Sequence, residues 1–274
     1  MNPINDPMTW QSLLPWPGAE AHKHARGRLG VVSGGALSTG AARLAARAGL
    51  RVGAGLVKFF CPSDAAPVLA PALEAVMLAS FATADELAEL AQAMDAVVIG
   101  PAAGLTGATA ANVAALARTG AALVVDADAL TLFRDRPGDL FACLDGDDVL
   151  TPHEGEFERL FPGLLAKGRE TAAIEAAERA GCVLVLKGSA TVLAAPDGRC
   201  VVNGNGSSWL ATAGSGDVLA GMIGGLRAQR MDSFAAACAA VWMHADAAHR
   251  FGPGLIAEDL PDLIPAVLAS LYRG

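Results

Sequence analysis

RLGVVSGGALSTGAARLAARAGL, residues Arg28–Leu50, changes its period once along its length. RLGVVSGG (Arg28–Gly35) is a short apolar run that stops at a glycine turn, as a buried strand does. TGAARLAARAGL (Thr39–Leu50) spaces alanines and leucines along one face of a helix, with side chains small enough for close packing. Strand, glycine turn and helix in that order make the repeating unit of a parallel sheet.

The unit recurs on the C-terminal side. GLVKFFC, EAVMLASF, AVVIGP, ALVVDAD, DVLTP and CVLVLKG read as strands, and ELAELAQAM and Asn112–Arg118 as helices between them. Helices are also expected at Glu154–Leu160 and Glu170–Ala180. TVLAAPDGRCVVN reads as a hairpin turning at Pro196-Asp197-Gly198. The last part is helical, over Val218–Gln229, Phe234–Phe251 and Leu260–Tyr272. The segment before Gly27, rich in Pro and Trp, is expected to wrap the surface. The fold class is therefore α/β, a mostly parallel central sheet with helices on both faces. Residues 1–274 read as a single domain without repeats. Ligands in such sheets bind at the carboxyl ends of the strands.

Composition narrows the function. The chain is 53% hydrophobic and 18% charged, which suits a folded core rather than a disordered chain. With a net charge of -8 and no long basic cluster, nucleic acid is not an expected partner. The N-terminus lacks the basic and apolar regions of a signal peptide, and no apolar run is long enough for a membrane span. Five scattered cysteines without a C-x-x-C fit reduced thiols in a cytoplasmic protein.

WLATAGSGDVLAG (Trp209–Gly221) joins a glycine turn to a helix expected to begin near Asp217 or Val218. Gly214, Ser215 and Gly216 would offer backbone N–H groups and the positive end of the helix to a phosphate. There is no Walker A sequence in the chain, and no G-x-G-x-x-G follows the first strand. An acid beside a phosphate cradle suits phosphoryl transfer, which needs a base for the attacking hydroxyl. The helix dipole is expected to keep the Asp217 carboxyl low in pKa and ionised at pH 7.

LTPHEGEFERLF (Leu150–Phe161) reads as a helix start with Thr151 as N-cap, Pro152 at the first position and Glu154 completing a capping box. That reading leaves His153 unexplained and facing the ligand crevice. Lys187, Gly188, Ser189 and Thr191 of LKGSATVL follow a strand and suit a turn or a nucleotide wall. VVIGPAAG and VVDADAL place Gly104 and Asp128 just past strands, Asp128 as a possible helix cap. His22 and His24 read as a solvated basic segment. His244 and His249, five apart on a helix, have the wrong spacing for zinc on one face. Trp209 reads as a packing residue or a wall of the site.

In this order the motifs resemble the NAD(P)H-hydrate dehydratase family, of ribokinase-like fold, from about His22 to Asp259. The resemblance implies repair of NADHX and NADPHX, forms of NADH and NADPH that carry water on the nicotinamide ring. It implies ADP as co-substrate in bacterial members, ATP in eukaryotic relatives, and Mg²⁺. Carried over by motif, Asp217 is the acid at the substrate, and Lys187, Gly188, Ser189, Ala190, Thr191 and Gly216 meet the nucleotide. Ala41, Gly104 and His153 contact the hydrate; metal ligands are not assigned. Two departures stand out. The family often has glycine at the positions of Ala102 and Ala213. Many relatives carry a further N-terminal epimerase domain, for which this chain is too short. A homo-oligomer is expected. The competing assignment is a hydroxyethylthiazole or hydroxymethylpyrimidine kinase, and a third is a nucleotide sensor without turnover.

Overall fold

The computed structural model describes residues 2–272. Its strands are β1 (Arg28–Val32), β2 (Leu56–Pro62), β3 (Met77–Phe81), β4 (Ala96–Ile99), β5 (Ala122–Val125), β6 (Val149–Leu150), β7 (Val183–Leu186), β8 (Val192–Ala194) and β9 (Cys200–Val202). Among the described residues they form one sheet in the order β3-β2-β1-β4-β5-β6-β7-β8-β9. Pairing is parallel from β3 through to β7, and β8 and β9 extend the sheet as an antiparallel hairpin.

The first six helices are α1 (Gly40–Arg51), α2 (Ala66–Leu69), α3 (Ala84–Ala91), α4 (Gly107–Leu116), α5 (Asp128–Thr131) and α6 (Pro137–Phe141). The rest are α7 (Glu154–Leu160), α8 (Arg169–Ala180), α9 (Ser215–Ala228), α10 (Ser233–Phe251) and α11 (Leu260–Leu271). Successive strand residues alternate between two apolar layers, as the period of two requires. Val98, Val124 and Val185 face the layer built with α1, α9, α10 and α11. Val97, Val125 and Leu184 face the layer built with α4, α7 and α8. Both faces are covered, so the central strands are apolar throughout.

Small residues set the spacing of one layer. Helix α9 is buried along nearly its whole length, and it crosses α1 at glycine. A Cβ on Gly221 would lie 2.1 Å from the Ala45 carbonyl oxygen, and one on Gly225 would lie 2.8 Å from the Gly49 carbonyl oxygen. The two backbones therefore touch with no side chain between them.

The N-terminal segment does more than wrap the surface. Trp10 is buried, its indole N–H donates to Asn5 Oδ1 at 3.0 Å, and Asn5 Nδ2 donates to Asn203 Oδ1 at 3.0 Å. Asn203 Nδ2 passes the chain on to Asn205 Oδ1 at 2.8 Å. The first residues thus buttress the loop after β9.

Order reverses between β1 and β4, where consecutive connections leave in opposite directions and open a crevice. The β1–α1 and β4–α4 loops meet there: a Cβ on Gly34 would lie 2.0 Å from the Ala102 carbonyl oxygen. Ala102 itself has φ of 53°, in the left-handed region. This gives the Ala102 departure from the family pattern a physical cost, since a Cβ is disfavoured there and glycine is not. Ala102→Gly is expected to raise stability by up to about 1 kcal/mol in urea unfolding.

Candidate active site

Helix α9 starts earlier than expected, at Ser215 rather than near Asp217 or Val218. Gly214 precedes it with φ of 89°, and a Cβ at that position would sit 2.7 Å from Leu44 Cδ1. Asp217 is thus the third helical residue, and the first-turn N–H groups of Gly216 and Asp217 precede the helix's own acceptors. The Ser215 hydroxyl is engaged, donating to the Leu210 carbonyl at 2.7 Å. Ser215 therefore shapes the loop with its side chain.

The expected low pKa of Asp217 is overturned. Burial pushes the carboxyl up to about 6, the nearby Asp126 carboxylate adds to the rise, Lys187 opposes it and Asp128 adds to it. Desolvation outweighs the helix dipole here. The group remains mostly ionised at pH 7, and it is a better proton acceptor than an ordinary aspartate.

Asp126 is a site residue that motif reading passed over. It follows β5, is 1% exposed, and accepts from Lys187 Nζ at 2.7 Å. A buried carboxylate needs such a partner. The ammonium lies close to the phosphate loop, 3.5 Å from where a Cβ on Gly216 would be. Asp128 does not cap a helix. Ala127 holds the cap position, and Asp128 Oδ2 accepts from the Gly104 N–H at 2.9 Å, tying the loop after β4 to the loop after β5.

His153 also has a structural task. The helix cap lies two residues beyond Thr151: His153 Nδ1 accepts from the N–H groups of Gly155 (2.9 Å) and Glu156 (3.3 Å). Glu156 Oε2 accepts from the His153 N–H at 2.9 Å, which completes the capping box. Glu154, expected to close that box, is instead paired with Arg169. Burial raises the Glu156 carboxyl while Lys187 opposes the rise. His153 pairs in a parallel bridge with Lys187, so the residue stays at the carboxyl ends of the strands, with Nδ1 committed to the cap.

Lys187, Gly188, Ser189, Thr191, Ser215 and Gly216 line one cavity of about 690 Å³. Ala190 is not in its wall; its carbonyl is held by Arg169 Nη2 at 3.2 Å, with the Leu186 and Lys187 carbonyls at 3.1 and 3.2 Å. Arg169 thereby gathers the carbonyls of this segment behind the cavity. Gly214 and Asp217 flank the wall at the loop and first turn of α9. Ala41 and Gly104 lie apart from the cavity, Ala41 in the first turn of α1 and Gly104 on the loop between β4 and α4. Asn203, Ser207, Leu219, Val241, His244 and Ala245 also line the cavity, and the sequence motifs assigned none of them to it.

The family model for NAD(P)H-hydrate dehydratase matches residues 29–265. The chain belongs to the NAD(P)H-hydrate dehydratase family. It is 35% identical to the ADP-dependent (S)-NAD(P)H-hydrate dehydratase of Xanthomonas campestris pv. campestris, over 95% of this chain and 94% of that one. It is 38% identical to the bifunctional NAD(P)H-hydrate repair enzyme of Salinibacter ruber, over 94% of this chain. The chain spans about half the length of that curated relative, 51%. The ADP/ATP-dependent NAD(P)H-hydrate dehydratase of Bacillus subtilis, co-crystallised with ATP and Mg²⁺, superposes with a TM-score of 0.85 at 29% identity, covering 99% of each chain. A ribokinase-like superfamily protein of Enterococcus faecalis superposes at 0.86 with 22% identity, covering 96% and 95%, and shares the fold. The fold of this family member is thus α/β and ribokinase-like, with the sheet mostly parallel. No helix among the described residues is long and apolar enough to cross a membrane.

Proposed function

We propose that the protein dehydrates the S-form of NADHX and NADPHX to NADH and NADPH, using ADP and releasing AMP and phosphate. The observation that carries this reading is the placement of Asp217 in the first turn of α9. A carboxylate poised as a base there shares one helix end with the N–H groups of a phosphate cradle.

In this mechanism ADP occupies the cavity with its terminal phosphate at Gly214–Gly216, and the hydrate lies over the crevice at Ala41 and Gly104. Asp217 takes the proton of the ring hydroxyl, and that oxygen attacks the terminal phosphorus as AMP leaves. The Lys187 ammonium faces the charge that builds on the transferred group. The lone pair of the ring nitrogen then expels phosphate from the ester. Loss of a proton from the adjacent ring carbon restores the double bond of NAD(P)H. His153, committed to its cap through Nδ1, meets the hydrate only through the other edge of its ring.

Among the described residues no group of three or more His, Cys, Asp or Glu side chains could hold a metal ion. Mg²⁺ fits this chain as an ion carried on the nucleotide phosphates, its usual way of binding. It would supply charge neutralisation there.

The test is incubation with purified NADHX and either ADP or ATP, following NADH absorbance and free phosphate. NADH and phosphate are expected to appear together, faster with ADP. Phosphate retained on an acceptor would make the protein a kinase, and no NADH with either nucleotide would defeat the proposal.

A further inference from the structure

Two of the elements that wall the cavity are separate in the chain. Asn203 and Ser207 belong to the loop after β9, and Val241, His244 and Ala245 belong to α10. One side chain from outside the cavity ties the two together. Asn5 Nδ2 donates to Asn203 Oδ1 at 3.0 Å and to the Cys238 carbonyl of α10 at 2.8 Å. Asn5 Oδ1 accepts from the Trp10 indole N–H at 3.0 Å, and the Asn5 backbone N–H donates to the Val202 carbonyl at 2.8 Å. Asn5 is 3% exposed and Asn203 4%. Both N–H groups of the Asn5 amide and its oxygen are thus engaged inside the protein.

The residues around Asn5 fix that amide in place. The Val202 N–H donates to the Pro3 carbonyl at 3.0 Å, and Ile4 forms a parallel bridge with Val202, so residues 3–5 run along β9. Trp10 lies against Trp242 of α10, with ring centroids 5.9 Å apart. Asn203 in turn holds its own neighbours. Its backbone N–H donates to the carbonyl of Thr191, another residue of the cavity wall, at 2.8 Å, and its Nδ2 donates to Asn205 Oδ1 at 2.8 Å. Removing the Asn5 amide would strand a buried acceptor on Asn203 and a buried donor on Trp10. Such groups regain partners by admitting water, which lets the elements they join part.

We propose, on the reading of this cavity as the nucleotide site, that Asn5 is a positioning residue of that site. It touches no ligand, and it holds the loop after β9 and α10 at the separation the nucleotide requires. Coupling of two equilibria is reciprocal, so ADP in the cavity also tightens the docking of residues 3–10.

Calorimetric ADP binding to the wild type, Asn5→Ala, Trp10→Phe, Asn203→Ala and the double variant Asn5→Ala/Asn203→Ala tests it, with Val113→Ala as control. Asn5→Ala should weaken ADP about five- to fiftyfold, the usual range of coupling between two sites. Trp10→Phe deletes the N–H on Asn5 and keeps a ring against Trp242. It should weaken ADP a few-fold, and it covers failure of the alanine variant to fold. The cost of Asn5→Ala should shrink in the Asn203→Ala background, where part of its path to the ligand is already gone. Val113 is buried in the other apolar layer, so its alanine variant should lose stability in urea and keep its ADP affinity. In the hydrate assay the Asn5→Ala loss should fall on KM for ADP rather than on kcat. In the wild type, ADP should slow hydrogen exchange at the Asn5 and Val202 amides and leave the β2–β3 pair unchanged.

An Asn5→Ala protein that is destabilised in urea yet binds ADP like the wild type would overturn the proposal. So would equal costs of Asn5→Ala in both backgrounds, an ADP loss of the same size in Val113→Ala, or exchange at Asn5 and Val202 indifferent to ADP. The expected ADP coupling with no NADH formed removes only the dehydratase reading. Absence of any ADP binding to the wild type removes both.

Discussion

Asp217→Asn will lower kcat/KM for the hydrate by about 10²- to 10⁴-fold, the usual contribution of a positioned base. ADP binding will be unchanged or tighter, because the amide keeps the shape of the side chain and removes a negative charge beside the phosphate. The wild-type pH profile carries the same signature. With the carboxyl at about 6, kcat/KM should fall as pH drops below about 6, tenfold per unit, as one proton blocks the base. Stability runs the other way. Folding raises this pKa above its unfolded value of 3.8, so ionised Asp217 opposes folding above about 6. That opposition is relieved as pH falls from about 6 towards 4. The asparagine variant should therefore melt no lower than the wild type at pH 7. Near-normal turnover in steady-state assays of the folded variant would eliminate Asp217 as the base.

Lys187→Met strips the partner from a carboxylate that is 1% exposed, and a lone buried charge costs about 3–5 kcal/mol. Urea unfolding should register a loss of that size. Adding Asp126→Leu, which removes the stranded charge, should restore most of the stability and none of the activity. The two losses have separate origins. Stability follows the balance of the pair, while turnover follows the ammonium beside the phosphate loop. Lys187 also holds the Asp217 carboxyl down, so in the single variant the acidic limb of any remaining activity should move above about 6. A single variant as stable as the wild type would show that the pair contributes nothing.

The strands were legible because β4, β5 and β7 are apolar at every position, which only a sheet covered on both faces requires. The glycine turn that opens α9 was legible because glycines ahead of an apolar run mark a helix start. The cap of α7 was misplaced because Thr151 with Glu154 three residues on fits the capping pattern. Histidine holds the cap instead, its Nδ1 accepting from the N–H groups of Gly155 and Glu156, so the helix starts two residues later. The shift of Asp217 depends on burial by segments distant in sequence, which local reading of a helix start does not contain. Asp126 lies 61 residues from Lys187, and nothing local to either predicts the pair. His244 was judged by its spacing to His249, whereas its place in the cavity wall follows from where α10 meets the loop after β9. Trp10 was read as surface cover, and its core role depends on a buried asparagine ladder of no recognisable spacing.

The crossing of α1 and α9 has a geometric consequence for a two-substrate reaction. In the proposed reaction the hydrate lies at Ala41, in the first turn of α1, and the phosphate lies at the start of α9. In that reading the acceptor oxygen and the phosphorus would be carried by two rods whose backbones touch at Gly221. Touching backbones cannot be brought closer, and no flexible side chain separates them to absorb a change. The contact acts as a fixed gauge for the gap the phosphoryl group crosses. A methyl group at Gly221 would lengthen that gap from inside the core, far from any ligand. The smallest residues in the chain thus define a reacting distance that none of them touches.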